Sequence, residues 1–266
     1  MMFEGTLSFE KIKEEPQAID AFGSSYDLGK VIPPTQSQEP DFILGGEPTR
    51  DFPDCCAVGN DWHYYCSGTL IAPTLVVTAK HCRHVTRVFL KGYDIDEAES
   101  GEIIRVKEQF EHPEADLRVL VLEQPSTVTP RHVAQGWETY ATEALLVGFG
   151  TIDYNGSFGY GEKRKVEVPI SSLDSGSLEE ARLYGARQGT EVVAGHRGLG
   201  KDSCRGDSGG PLYIRSPYGG YYLLGATSRG VRGARECGDG GIYVRVDKYL
   251  EWIGEQTGIE IEGPGI

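Results

Sequence analysis

The sequence predicts an all-β fold of two small antiparallel barrels packed together, closed by a C-terminal helix. Short apolar runs alternate with turn residues, and the 266 residues include 36 glycines and 14 prolines. That punctuation favours short strands over long helices. The length fits two such barrels. Near the end, Val246, Tyr249, Leu250 and Ile253 recur at helical spacing and mark a closing helix at about residues 247–257.

The elements follow in order. Residues 1–42 carry three lysines against eight acids, with Pro33-Pro34 and Gln36-Ser37-Gln38 near their end. This composition predicts a pro-segment that is disordered or loosely packed. It contains no apolar stretch of about 7–15 residues of the kind a secretory signal carries. The domain proper is expected over 43–266, with the first barrel at about 43–130. Within it, Leu70-Ile71, then Ala72-Pro73-Thr74, then Leu75-Val76-Val77 read as strand, turn and strand. Asp116 heads the next apolar run, Leu117 to Leu122. The polar stretch around Pro125 to Gln135 is the expected join. The second barrel is expected over about 136–246, where Leu212-Tyr213-Ile214 and Tyr222-Leu223-Leu224 flank a Ser216–Gly220 turn as one hairpin. No internal repeat or separate binding module is evident.

The chemistry is concentrated at Ser208, in the frame Gly206-Asp207-Ser208-Gly209-Gly210. A serine hydroxyl needs a base to take its proton and backbone donors to hold the oxyanion formed by its attack. Small neighbours leave the Gly206 and Ser208 N–H groups free to face a carbonyl. The chain has six histidines, His63, His81, His84, His112, His132 and His196, and all precede Ser208. That order excludes the α/β-hydrolase arrangement, in which the histidine follows the serine. His81 directly follows the strand–turn–strand unit, whereas His112 and His132 read as solvated turn residues. Asp116 at the head of an apolar strand is costly to bury unless it finds partners, and the His81 ring would be one.

With these residues in place, the chain resembles a trypsin-like serine protease of the chymotrypsin family. The resemblance is carried by Ile43-Leu44-Gly45-Gly46, Thr78-Ala79-Lys80-His81-Cys82, Ala115-Asp116-Leu117, Gly148-Phe149-Gly150, Lys201 to Pro211, Thr227-Ser228-Arg229-Gly230 and Gly241-Ile242-Tyr243-Val244. It implies two six-stranded antiparallel barrels of the chymotrypsin type. It also implies a Ser208–His81–Asp116 triad, an oxyanion hole from the Gly206 and Ser208 N–H groups, and Ser228 bonded to the buried aspartate. Asp202 would form the floor of the primary specificity pocket, with Gly230 and Gly241 as its open walls, selecting Arg or Lys. Cys66–Cys82 and Cys204–Cys237 match two family disulfides. Cleavage between Phe42 and Ile43 would free an ammonium that pairs with Asp207. Phe42 does not suit an Arg/Lys-selective enzyme, so another protease would make that cut, or the cut lies elsewhere, for example after Lys30.

Several positions depart from the family pattern. Arg229 stands where an aromatic is usual, and with Arg205 it would line the cleft, favouring acidic or small residues beside the scissile bond. Arg118 is polar where the family is apolar, and the sequence offers no account of it. Cys55 and Cys56 are left over, as a vicinal bridge, as thiols, or as a link to another chain.

The formal net charge is −14, and residues 43–266 alone hold 23 cations against 32 acids. This disfavours nucleic acid as a partner. No apolar run approaches the ~18 residues of a membrane span. No cofactor or metal is expected, and the acidic stretch Asp94–Glu99 reads as a solvated loop. The reading is therefore a monomeric endopeptidase acting on proteins or peptides. Its disulfides favour an extracellular or periplasmic location, while the absence of a visible signal leaves a cytoplasmic one open. Two further readings remain: an inactive relative used as a binding protein, and a latent enzyme used as a switch.

Overall fold

The computed structural model describes residues 45–151, 159–217, 219–235 and 237–261. The expected pro-segment and the Phe42–Ile43 junction lie outside them.

Thirteen strands and two α-helices are described: β1 Glu47–Pro48, β2 Cys55–Gly59, β3 Tyr64–Ala72, β4 Leu75–Thr78, β5 Arg87–Leu90, β6 Glu102–Glu111, β7 Arg118–Leu122, β8 Glu143–Gly148, β9 Arg164–Ser172, α1 Leu178–Tyr184, β10 Glu191–Ala194, β11 Pro211–Arg215, β12 Tyr221–Gly230, β13 Gly241–Arg245 and α2 Leu250–Thr257. Six strands close a first antiparallel barrel in the order β2-β3-β4-β7-β6-β5. A second closes through β8-β9-β10-β13-β12-β11, with β11 returning to β8. Closure removes the unpaired edges that an open sheet would expose.

The two hairpins read from the sequence are present: Leu70 pairs with Val76, and Tyr213 with Leu223. Two details differ from the sequence reading. Glu47–Pro48, expected in the first barrel, pairs instead with Lys165 and Arg164 of β9 in the second. The closing segment starts as a 3-10 turn, Val246–Tyr249, before α2 begins. Val246 and Ile253 are both fully buried there.

Strand alternation sends neighbouring side chains to opposite faces, so each barrel has one core inside and shares another with its partner. Cys56, Val58, Leu70, Val76 and Leu120 fill the first barrel. Val166, Val192, Leu212 and Leu224 fill the second. Between them lies a seam formed by Cys55, Val77 and Val119 from one barrel and Val147, Tyr213 and Val244 from the other. Asp54, buried to 1 % exposure, is the polar tie across this seam. It accepts from Arg131 Nε at 3.0 Å, on the segment joining the barrels, and from the Tyr213 hydroxyl at 2.6 Å.

Cys55 and Cys56 are free thiols, both fully buried. As neighbours in one strand they point into different cores, which removes the vicinal-bridge alternative.

Candidate active site

The site lies where turns from both barrels meet. His81 follows β4 on a turn anchored by the Cys66–Cys82 disulfide. Asp116 lies just ahead of β7. Because β4 and β7 are hydrogen-bonded neighbours, with Thr78 opposite Arg118, the two side chains emerge side by side. His81 Nδ1 lies 2.8 Å from Asp116 Oδ2, and the His81 backbone N–H donates to Oδ1 at 3.0 Å. The Ser228 hydroxyl, from β12 of the second barrel, donates to Oδ2 at 2.6 Å. Burial alone would raise the Asp116 pKa, but these hydrogen bonds from His81 and Ser228 outweigh it and hold the carboxyl below its ordinary value.

Ser208 sits on the turn before β11. Its carbonyl oxygen accepts from Ser67 N at 2.9 Å, and the Cys82 sulfur lies 3.6 Å from it. The Ser67 hydroxyl in turn donates to Gly206 O at 2.9 Å. The serine turn is thereby tied directly to the strand and disulfide that carry His81. Glycine is required twice. Gly206 has φ +95°, and a Cβ there would lie 2.5 Å from the Tyr160 ring. Gly209 has φ +79°, and a Cβ there would meet Thr78 Oγ1 at 2.1 Å and Ala79 N at 2.4 Å.

Ser208 opens onto a cleft of about 310 Å³ lined also by Asp202, Ser228, Gly230 and Gly241. The Cys204–Cys237 disulfide joins two of its walls. Asp202 is 4 % exposed. Its carboxylate accepts from Ser203 N at 2.8 Å, Gly240 N at 3.1 Å and the Tyr243 hydroxyl at 3.3 Å. Burial dominates these bonds and raises its pKa to about 6. Gly241 lets β13 pass close to the pocket, since a Cβ there would lie 2.8 Å from the Tyr243 hydroxyl.

Asp207, next to the nucleophile candidate, is 2 % exposed and framed by Gly148 and Gly150. It accepts from Gly150 N and Cys204 N, each at 2.8 Å. Burial pushes its pKa up to about 7 against those bonds, and the nearby Asp202 charge adds to the rise. Ile43 lies outside the described residues.

A second cleft of about 470 Å³, lined by His81, Asp116, Arg187 and Glu191 among others, adjoins the first through Ser228 and Arg229. Here the structure corrects two sequence readings. Arg229 is not a free cation, because Glu191 takes both ends of its guanidinium, at 2.9 and 2.7 Å. His112 is not a solvated turn residue. Its Nδ1 accepts from Glu114 N at 3.2 Å and Ala115 N at 2.9 Å, and its ring packs edge-on against Tyr249 and Trp252. It shapes the turn that delivers Asp116. Arg118 also gains an account: its side chain, 3 % exposed, bonds Glu111, Gln109 and the Lys80 carbonyl under the His81 turn. Among the described residues, no cluster of three or more His, Cys, Asp or Glu is arranged to hold a metal.

Two closed barrels with a histidine–aspartate pair and a serine turn at their seam define the chymotrypsin-type architecture. The family model described as Trypsin matches residues 43–253. A trypsin of Saccharopolyspora erythraea is 32 % identical over 232 residues, covering 80 % of this chain and 97 % of that protein. The solved structure of neuropsin, a serine protease of mouse brain, superposes with a TM-score of 0.68 at 24 % identity, covering 79 % of this chain and 98 % of neuropsin. This chain belongs to the trypsin family. It is a serine endopeptidase, a hydrolase of protein or peptide substrates.

Proposed function

We propose that the protein cleaves after Arg or Lys through a Ser208–His81–Asp116 triad and is made as a zymogen. The observation that carries the reading is the 2.8 Å contact between His81 Nδ1 and Asp116 Oδ2, beside a cleft that holds both Ser208 and a buried acid, Asp202.

Each step has its residue. Ser208 Oγ attacks the scissile carbonyl while His81 Nε2 takes its proton. The Gly206 and Ser208 N–H groups hold the oxyanion. His81 returns the proton to the leaving amine, and an acyl-enzyme forms on Ser208. Water, deprotonated by the same imidazole, releases the acid and regenerates Ser208. Asp116 fixes the ring tautomer and stabilises the imidazolium. Asp202 pairs with the guanidinium or ammonium of the residue preceding the cut bond, a charge-assisted contact in a confined pocket.

Activation rests on Asp207. A buried carboxylate is costly unless a cation meets it, and the Ile43 ammonium freed by cleavage after Phe42 would be that cation. The two disulfides favour an oxidising, extracytoplasmic setting.

The test uses protein with a new N-terminus at Ile43, p-nitroanilides of blocked Arg, Lys, Phe and Leu, and a fluorophosphonate label. The reading expects labelling at Ser208, hydrolysis confined to Arg and Lys, and loss of both in S208A. Hydrolysis after Phe alone would overturn the Asp202 assignment. Absence of labelling in correctly processed protein would favour an inactive binding protein on the same scaffold.

A further inference from the structure

We propose that Arg229 is a positioning residue for the His81–Asp116 pair: clamped by Glu191, it donates to the Ser228 hydroxyl oxygen and so commits the Ser228 proton to Asp116. The proposal rests on the triad reading above.

The bonded path is continuous. Glu191, on β10, has a side chain 3 % exposed. It grips both terminal nitrogens of Arg229 and also accepts from Arg187 N at 2.7 Å. Arg229 Nη2 donates further to Gly185 O at 3.1 Å. A guanidinium held on several sides has little freedom left, and its planar fork suits such fixed multiple bonding. The other Nη1 hydrogen is directed at Ser228 Oγ, 3.2 Å away.

A serine hydroxyl carries one proton and two lone pairs. Asp116 is ionised at neutral pH and can accept only, so the 2.6 Å contact makes Ser228 the donor. With Arg229 on one lone pair, the Ser228 proton is left to serve Asp116 Oδ2. That oxygen is the one His81 Nδ1 meets at 2.8 Å. The position of Oδ2, and through it the imidazole plane, is therefore set from the second barrel by a chain that begins at Glu191. Arg229 and Glu191 are neutral as a pair, so the device works by geometry more than by added field. Arg229 also lines both clefts, which gives it a competing role as a subsite wall, and the test separates the two.

The experiment compares R229L, R229K, S228A and S228A/R229L on the p-nitroanilide of a single blocked residue, with kcat normalised to sites counted by an active-site titrant. R229L is expected to lower kcat on the order of tenfold, the scale of one hydrogen bond lost from a network, with KM within about twofold. R229K, which keeps the charge without the fork, recovers part of the loss. S228A/R229L falls no lower than S228A alone, because both changes cut the same path. E191Q weakens the clamp from its other end and lowers kcat in the same sense, so the proposal stays testable if R229L yields no titratable sites. An unchanged kcat in R229L, an effect carried by KM alone, or a double variant as low as the product of the singles would each overturn it. S208A is measured alongside: activity surviving in that variant defeats the triad reading itself, whereas a dead S208A with an indifferent R229L defeats the role of Arg229 alone.

Discussion

The guanidinium of Arg118 donates to the carbonyl oxygen of Lys80 at 3.1 Å, one residue before His81. Lys80 completes a clamp by reaching across with Nζ to the carbonyls of His112 and Pro113, at 2.8 and 3.1 Å. The turn bearing His81 and the turn bearing Asp116 are thus laced together beneath that hydrogen-bonded pair. R118L would leave the Lys80 carbonyl and the Gln109 side chain without this buried donor. It should lower unfolding free energy by about 2–3 kcal/mol, read by chemical denaturation. The midpoint of denaturation should shift without a change in slope.

Binding of an amidinium inhibitor should titrate with Asp202. Its carboxyl, raised to about 6 by burial, must be ionised to pair with the cation. Benzamidine affinity is therefore expected to be constant above about pH 7 and to fall roughly tenfold per pH unit well below pH 6. D202N should bind weakly at every pH. An inhibition constant flat from pH 8 to 5 in wild-type enzyme would contradict this.

His112 should make the fold acid-sensitive. Burial, helped by the Lys80 and Arg187 charges and opposed by Glu114, holds its pKa below the ordinary 6.5. The folded state then binds fewer protons than the unfolded state, so stability from this group is full above about pH 6.5 and is lost as pH falls below that through the lower folded-state pKa. Protonation also removes the lone pair that receives the Glu114 and Ala115 N–H groups. H112N, which keeps an acceptor near the same place but does not titrate, should flatten this part of the profile between pH 7.5 and 5.5. H112A should be less stable by about 1 kcal/mol at pH 7.5. Thermal melts of the three proteins at both pH values check each point.

G209A should be worse tolerated than most surface changes, since both its φ and the approach of Thr78 and Ala79 reject a Cβ. G206A moves one of the two expected oxyanion donors. It should cost kcat on the order of 100- to 1,000-fold, with inhibitor binding at Asp202 largely kept. Steady-state kinetics together with a benzamidine titration distinguish this from simple unfolding.

Cys55 and Cys56 should be silent to thiol reagents in the native protein and react as two thiols in denaturant. Burial raises both pKa values above the ordinary thiol range and so suppresses the reactive thiolate. Fast labelling of either in native protein would show that the seam or the first barrel opens readily.

Much of this was legible in the sequence, because local constraint and chain order carry it. Gly206 and Gly209 flank a serine in conformations that favour glycine. His81 follows a recognisable hairpin, and the barrels follow from short strands. What escaped was chiefly pairing over distance. Glu191 reads as one acid at the head of Val192-Val193-Ala194, and nothing in the chain ties it to Arg229, 38 positions later. Arg118 looked like a misplaced charge until Glu111, Gln109 and Lys80 surrounded it. His112 revealed its work once Tyr249 and Trp252 were folded against it. The opposite facing of Cys55 and Cys56 could have been read from strand alternation alone.

Asp54 gives the assembly its last consequence. It precedes β2 of one barrel, yet its carboxylate is shared between Arg131 of the connector and Tyr213 of the other barrel. Pulling the halves apart would strand a charged group and a phenol in an oily gap, so partial separation carries a steep penalty. The proposed hydrolytic centre draws His81 and Asp116 from one half and Ser208 from the other, so a fragment ending near residue 130 should show no activity.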